Sequence, residues 1–145
     1  MNNDDVYRFV LAQNETYTQA LEELKNGKKE SHWMWYVFPQ LKGIGNSENA
    51  QFYGIRDIDE AETFMRHPIL GKHLIEISET VLNINNRSAL QIFGNPDYLK
   101  LHSCMSLFAQ LNDGTKVFQA VIDKYFNGIP DEVTINILKN NRAKL

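Results

Sequence analysis

The side chains best suited to hold a ligand lie in one segment, Ser31-His32-Trp33-Met34-Trp35-Tyr36-Val37-Phe38-Pro39-Gln40. Two tryptophans, a tyrosine, a phenylalanine and a histidine fall between His32 and Phe38. Most small-molecule sites are apolar pockets with a few convergent polar groups, and flat aromatic faces suit a nucleobase or nicotinamide ring. We call residues 31–40 the aromatic segment. Its candidate ligand-binding residues are His32, Trp33, Trp35, Tyr36 and Gln40.

The aromatic segment also fits a structural role. Large aromatic side chains are common core residues, and a buried Trp or Tyr needs a hydrogen-bond partner for its polar group. Ser31, His32 and Gln40 would then serve as those partners. The sequence leaves two interpretations open, which are a pocket and a rigid hydrophobic plug.

The segment is followed by Lys42-Gly43-Ile44-Gly45-Asn46-Ser47. Backbone N–H groups in a glycine-containing turn can hold a phosphate, although an ordinary turn has the same composition. The candidate phosphate contacts are Lys42, Gly43, Gly45 and Ser47. His32 and Glu48 are the two candidates for acid–base chemistry.

A second group of polar residues, Lys100, His102 and Ser103, falls on a predicted helix that begins near Asn95. Lys100 and Ser103 are three residues apart and share a face, so both are candidate ligand contacts. The alternative is a solvated polar face. The other basic cluster, Lys25-Asn26-Gly27-Lys28-Lys29, is interpreted as a solvated helix end because Glu22, Glu23 and Glu30 surround it.

Familiar catalytic and metal-binding motifs are absent from the sequence, including the glycine-rich nucleotide loops and H-E-x-x-H. The four histidines (His32, His67, His73 and His102) lack metal-ligand spacing, and Cys104 is the only cysteine. No metal site and no cofactor are therefore predicted. Cys104 lies beside an apolar helical stripe, so a core position is the expectation for it.

Composition narrows the class of protein. The chain has 145 residues, 43% of them hydrophobic and 23% charged, as in an ordinary globular domain. The net charge of -3 argues against broad binding to nucleic acid. No apolar run approaches the ~20 residues that cross a membrane. The polar start at residues 1–5 and the single cysteine favour a cytoplasmic protein.

Helical periodicity dominates the rest of the chain. We predict a mainly α fold, a single compact domain over residues 1–145 with about seven or eight helices. The aromatic segment and the following loop, near residues 31–45, are predicted to be irregular or a short strand because they have no clean period and contain Pro39.

Sequence signals also place several helix ends. A first helix carries Phe9 and Gln13 and is capped by Asn3 or Asp4, and a second helix begins at Asn14. The second helix ends at Gly27. Further helices begin at a capping box from Asp57 to Glu60, at Ser88 and at Asn95-Pro96-Asp97.

The aromatic segment resembles the signature of a bacterial family named domain of unknown function 1810, sometimes labelled calpastatin-like. Matching positions extend over nearly the whole chain. They include Tyr7-Arg8-Phe9-Val10, His67-Pro68-Ile69-Leu70-Gly71, Ile92-Phe93-Gly94, Lys100-Leu101 and Ser103, and a glycine-containing stretch of Gly43, Gly45, Ser47 and Tyr53. The resemblance adds Tyr53 to the candidate ligand-binding residues. Cys104 departs from the pattern, where the family has serine.

The order of elements is more distantly similar to that of the NADAR family, which is associated with ADP-ribose and nucleotide chemistry. That similarity implies a small-molecule or nucleotide-like ligand, held at the aromatic segment by a binding protein or enzyme. The alternative is a protein-interaction module without catalysis, in which the aromatic segment is the contact patch.

Overall fold

A computed structural model of the protein describes residues 6–143, with side chains described as far as Asn141. Nine helices form within this range. They are α1 (Tyr7–Lys25), α2 (Met34–Val37), α3 (Glu48–Phe52), α4 (Ile58–Arg66), α5 (Leu70–Leu82), α6 (Ala89–Phe93), α7 (Asp97–Ala109), α8 (Val117–Tyr125) and α9 (Glu132–Ala143). The predicted mainly α class is confirmed. No described helix is long and apolar enough to cross a membrane.

Helix α1 is one continuous helix, so the prediction of two helices divided at Asn14 is wrong. Asn14 is exposed in mid-helix, and the stripe of buried side chains continues past it. The buried positions are Phe9, Gln13, Tyr17, Ala20 and Leu24. Burial of that stripe outweighs the small helix-propensity cost of one asparagine. The predicted caps Asn3 and Asp4 lie outside the described residues.

The end of α1 at Gly27 is confirmed. Gly27 has a φ of 84°, a left-handed conformation that favours glycine. Its N–H donates to the Leu24 carbonyl at 2.9 Å, and the Lys28 N–H donates to the Glu23 carbonyl at 3.2 Å. These are the two bonds of a Schellman motif, which turns the chain sharply toward the aromatic segment.

The aromatic segment contains a helical turn, α2, that its sequence did not predict. β structure in residues 6–143 is limited to one parallel bridge between Leu41 and Ile55. Lys42 N–H donates to the Ile55 carbonyl at 2.8 Å, and Ile55 N–H donates to the Gln40 carbonyl at 2.9 Å. Gly54 permits this approach, because a Cβ there would lie 2.6 Å from the Lys42 Cα.

Three other helix starts were predicted from caps. The Asp57 side chain accepts the Glu60 N–H at 2.9 Å, and Ser88 forms a complete capping box with Gln91. Helix α7 begins at Asp97 with Pro96 as its N-cap residue. The proline therefore precedes the helix, and the prediction that it forms the first turn is wrong.

Helix α5 packs against α1, α4 and α8, and α7 packs against α6, α8 and α9. A row of phenylalanine rings crosses the core between these helices. The ring centroids are 5.1 Å apart for Phe9 and Phe64, 5.5 Å for Phe64 and Phe108, and 5.8 Å for Phe108 and Phe118. Cys104 is fully buried in the same core, as expected, and burial raises the pKa of its thiol.

A buried ion pair joins α1 to α4 and to the chain between α3 and α4. Glu60 is only 2% exposed, and its carboxylate accepts two hydrogen bonds from Arg8, at 3.2 and 3.3 Å. Arg8 also donates to the carbonyls of Phe52 at 2.8 Å and Gly54 at 3.0 Å. The Arg56 N–H donates to the same carboxylate at 2.9 Å.

Glu60→Gln should lower the free energy of unfolding by about 3 kcal/mol, because loss of one charge from a buried ion pair is strongly destabilising. Urea denaturation measures the change. The matched control is Glu62→Gln, which breaks an exposed pair with Arg66 and should cost no more than about 1 kcal/mol. Equal losses for the two variants would contradict a special role for Glu60.

Candidate functional site

Trp33 is a structural residue of the core. It is 1% exposed, and its indole Nε1 donates to Glu23 Oε1 at 2.9 Å. Its ring also packs against Phe38, with 6.1 Å between centroids. Trp33 therefore fits the plug interpretation, since its ring face is covered by protein.

The carboxylate of Glu23 accepts several hydrogen bonds from the start of the aromatic segment. Its oxygens accept the backbone N–H groups of Glu30 at 2.7 Å and Ser31 at 2.9 Å, and the Ser31 hydroxyl at 2.6 Å. Desolvation by burial alone would raise the pKa of Glu23. Hydrogen bonds from Ser31, the Glu30 N–H and Trp33 outweigh it and lower the pKa to about 2.

Two lysines share one carboxylate beside this segment. Lys29 Nζ lies 2.9 Å from Asp97 Oδ2, and Lys100 Nζ lies 3.3 Å from Asp97 Oδ1. The three side chains are 7%, 18% and 20% exposed for Lys29, Lys100 and Asp97 respectively. Lys29 also donates to the Ser31 carbonyl. The interpretation of Lys29 as part of a solvated helix end is therefore wrong, since α1 ends before it and the chain turns it inward.

Both lysines also lie against tryptophan rings. Lys100 Nζ is 3.5 Å from the centroid of the Trp35 ring, and Lys29 Nζ is 5.0 Å from the centroid of the Trp33 ring. Trp35 is partly exposed, unlike Trp33. We call the group formed by Trp35, Lys100, Asp97 and Lys29 the Trp35 surface.

The Trp35 surface carries one more positive than negative charge. The N-terminus of α7, at Asp97, adds partial positive charge from its backbone dipoles. Glu23, next to Trp33, adds one negative charge, and its oxygens accept the N–H groups of residues 30 and 31, the Ser31 hydroxyl and Trp33. Lys100 contacts one oxygen of the shared Asp97 carboxylate and an aromatic face.

Tyr36 is held through its backbone on the side of α1. Its carbonyl accepts Gln13 Nε2–H at 2.8 Å, and Gln13 Oε1 lies 2.8 Å from His73 Nδ1. Because the Gln13 amide offers its oxygen to the ring, His73 must carry its proton on Nδ1. His73 stacks on Tyr17 at 3.6 Å between centroids, and burial lowers the pKa of its imidazole.

Lys100 and Ser103 do not form one polar face. Ser103 is 5% exposed, and its single O–H is shared between Asp131 Oδ2 at 3.0 Å and the Leu99 carbonyl at 3.2 Å. Asp131 also accepts the Thr134 N–H at 3.1 Å in the first turn of α9. Ser103 thus belongs to the junction of α7 and α9, whereas Lys100 belongs to the Trp35 surface.

The predicted phosphate loop is mostly open to solvent. Gly43 has a φ of 102°, and Ser47 caps α3 by accepting the Ala50 N–H at 3.1 Å. The loop and α3 border an open cleft of about 640 Å³. Its lining residues are Lys42, Glu48, Asn49, Gln51 and Phe52. Asn49, Gln51 and Phe52 were not predicted as site residues. The only signal for them in the sequence is one aromatic residue, Phe52, within a polar stretch.

The remaining candidates separate into buried and exposed groups. Gln40 is 7% exposed, and its Oε1 has no hydrogen-bond partner among the described residues. His32 is exposed, and its carbonyl accepts the Tyr36 hydroxyl at 3.3 Å. The Tyr53 ring lies 5.3 Å from that of Tyr36 and 4.8 Å from that of Phe52. Across residues 6–143, no three His, Cys, Asp or Glu side chains are grouped as metal ligands.

A family model matches residues 3–138. The chain belongs to the family described as protein of unknown function, DUF1810. The resemblance seen in the aromatic segment is therefore confirmed.

A solved structure of similar fold is that of the conserved hypothetical protein Rv1873 from Mycobacterium tuberculosis. It is 44% identical, the match covers 93% of this chain and 96% of Rv1873, and the TM-score is 0.91. No curated protein matches the chain. These similarities establish the DUF1810 fold and family and name no ligand or reaction.

Glu23→Gln should lower stability above pH 4.5 and flatten its acid dependence. Because the pKa of Glu23 falls from 4.5 to about 2 on folding, its contribution is fully present above pH 4.5 and is lost as the pH falls toward 2. Urea denaturation from pH 7 to pH 2 measures the difference between the two proteins. If the free energy of unfolding falls equally steeply with acid in both proteins, carboxylates other than Glu23 cause the loss of stability.

Proposed function

We propose that the protein binds a small anionic molecule with a flat ring, of nucleotide-like character, at the Trp35 surface. The observation that carries the proposal is the pair of lysines that share Asp97 beside a partly exposed tryptophan. Membership of DUF1810 is compatible with this function and does not specify it.

Charge supports an anionic ligand. Lys29 and Lys100 are each at least four-fifths buried, and only Asp97 lies between them. A charge removed from water needs a partner, and an unmatched one is costly. An incoming carboxylate or phosphate would bind Lys100 without competing for Lys29, which keeps Asp97 Oδ2 and the Ser31 carbonyl.

The indole of Trp35 supports a flat ring. In the structure the Lys100 ammonium occupies one face of that ring at 3.5 Å from its centroid. An anionic group that draws Lys100 toward itself uncovers this face for stacking, which is worth roughly 1–3 kcal/mol for a base on an aromatic side chain. Lys100 and Trp35 would thus act on the two ends of one ligand.

The protein-interaction alternative has less support. Trp33, Met34, Val37 and Phe38 are each at most 2% exposed. Of the large apolar side chains in the aromatic segment, only Trp35 and Tyr36 are partly exposed. That area fits one small ligand better than the aromatic hot spot of a protein interface.

Thermal shift and calorimetric titration test the proposal with inorganic phosphate, nucleoside mono- and diphosphates and ADP-ribose as probes. A ligand that binds only the folded state stabilises it by about 2.7 kcal/mol at one hundred times its Kd. A flat-ringed phosphate should stabilise the protein more than inorganic phosphate does. If no probe stabilises the protein at millimolar concentration, the proposal fails.

Lys100→Met should weaken binding of the best probe at least tenfold, about 1.4 kcal/mol, and leave unfolding nearly unchanged, because Asp97 keeps Lys29. Trp35→Leu should remove the preference for a flat ring. Lys72→Met, at an exposed lysine of α5, is the matched control and should bind like the original protein. Equal affinity for the Lys100 and Lys72 variants would contradict the assignment.

A further inference from the structure

The open cleft lined by Lys42, Glu48, Asn49, Gln51 and Phe52 is a separate feature from the Trp35 surface. We propose that this cleft is a second binding site, for a neutral polyhydroxylated ring of the sugar class. The proposal does not depend on the ligand of the Trp35 surface. Its basis is an exposed, anchored aromatic ring surrounded by amides and by one pair of opposite charges.

The walls of the cleft are fixed by backbone contacts. Lys42 is held by its N–H bond to the Ile55 carbonyl at 2.8 Å and by close packing of Gly54 against its Cα. The Gln51 side-chain amide donates to the Asn46 carbonyl at 3.0 Å, which leaves its oxygen for a ligand. These contacts fix the backbone below the lining side chains, which are themselves exposed.

Phe52 is the aromatic residue of the cleft lining. It is 58% exposed, although its carbonyl accepts Arg8 Nε–H at 2.8 Å and its ring meets Tyr53 edge-to-face at 4.8 Å and 86°. Its exposed ring offers an apolar face on which a ligand can stack. The electron-rich face of the ring attracts the polarised C–H groups on one side of a sugar ring.

The charge of the cleft favours a neutral ligand. Lys42 and Glu48 carry opposite single charges, and Asn49 and Gln51 are neutral. The ammonium donates, the carboxylate accepts, and each amide can do both, so adjacent hydroxyl groups find donors and acceptors together. The Trp35 surface differs because two lysines share one aspartate there.

Titration of the full-length protein with D-ribose, D-glucose and N-acetylglucosamine tests the inference, with binding followed by amide chemical shifts. At least one sugar should bind at millimolar concentration, with shifts concentrated in residues 40–54. Absence of such shifts for all three sugars at tens of millimolar would overturn the proposal. Shifts centred on Trp35 and Lys100 would also overturn it.

Phe52→Ala should weaken the best sugar at least tenfold, and Phe52→Leu, which keeps apolar bulk without a ring face, should weaken it nearly as much. Tyr7→Ala is the matched control, since Tyr7 is 55% exposed on α1, and it should bind normally. Lys100→Met should also leave sugar binding unchanged, which separates this site from the Trp35 surface. Full affinity in the folded Phe52→Leu variant would contradict the role of the ring.

Discussion

The hydrogen bond between the Trp33 indole and Glu23 is the contact on which the aromatic segment depends. A buried indole N–H needs an acceptor, and Glu23 supplies one at 2.9 Å while it also binds the backbone at Glu30 and Ser31. Hydrogen bonds from Ser31, the Glu30 N–H and Trp33 offset the desolvation of Glu23 and keep it ionised. The hydrogen bond to Glu23 on α1 thus holds Trp33 in the core, directly before the helical turn α2.

Trp33 and Trp35 are only two residues apart, yet Trp33 is buried and Trp35 is partly exposed. The hydrogen bond that anchors Trp33 to Glu23 accounts for this difference. The turn of α2 that seals Trp33 into the core directs Trp35 to the surface near α7, where Lys100 covers its ring. The same arrangement brings Lys29 to Asp97. The plug interpretation therefore applies to Trp33 and the other buried residues of the segment, whereas the proposed ligand site involves only the partly exposed Trp35. The buried part is the support of the exposed part.

The Trp35 surface and the cleft at Phe52 differ in their balance of charge. At the first, positive charge exceeds negative charge in a partly buried setting, which favours an anion. At the second, charges balance around an exposed ring, which favours a neutral polar molecule. Arg8 contributes to the second through the Phe52 carbonyl and to the fold through Glu60. Stability and the shape of the cleft are therefore linked.

The sequence alone determined the helical class, the family, the cap at Ser88 and the end of α1 at Gly27, because these depend on local periodicity and backbone preference. It also singled out Trp35 and Lys100 as separate candidates. Only the tertiary structure decided that they touch, that Asp97 joins Lys100 to Lys29, and that Ser103 serves α9 instead. Those outcomes depend on contacts between residues tens of positions apart, and no local pattern encodes which neighbour a long side chain will meet. The continuity of α1 past Asn14 has the same cause, since burial against α5 overrides a local signal.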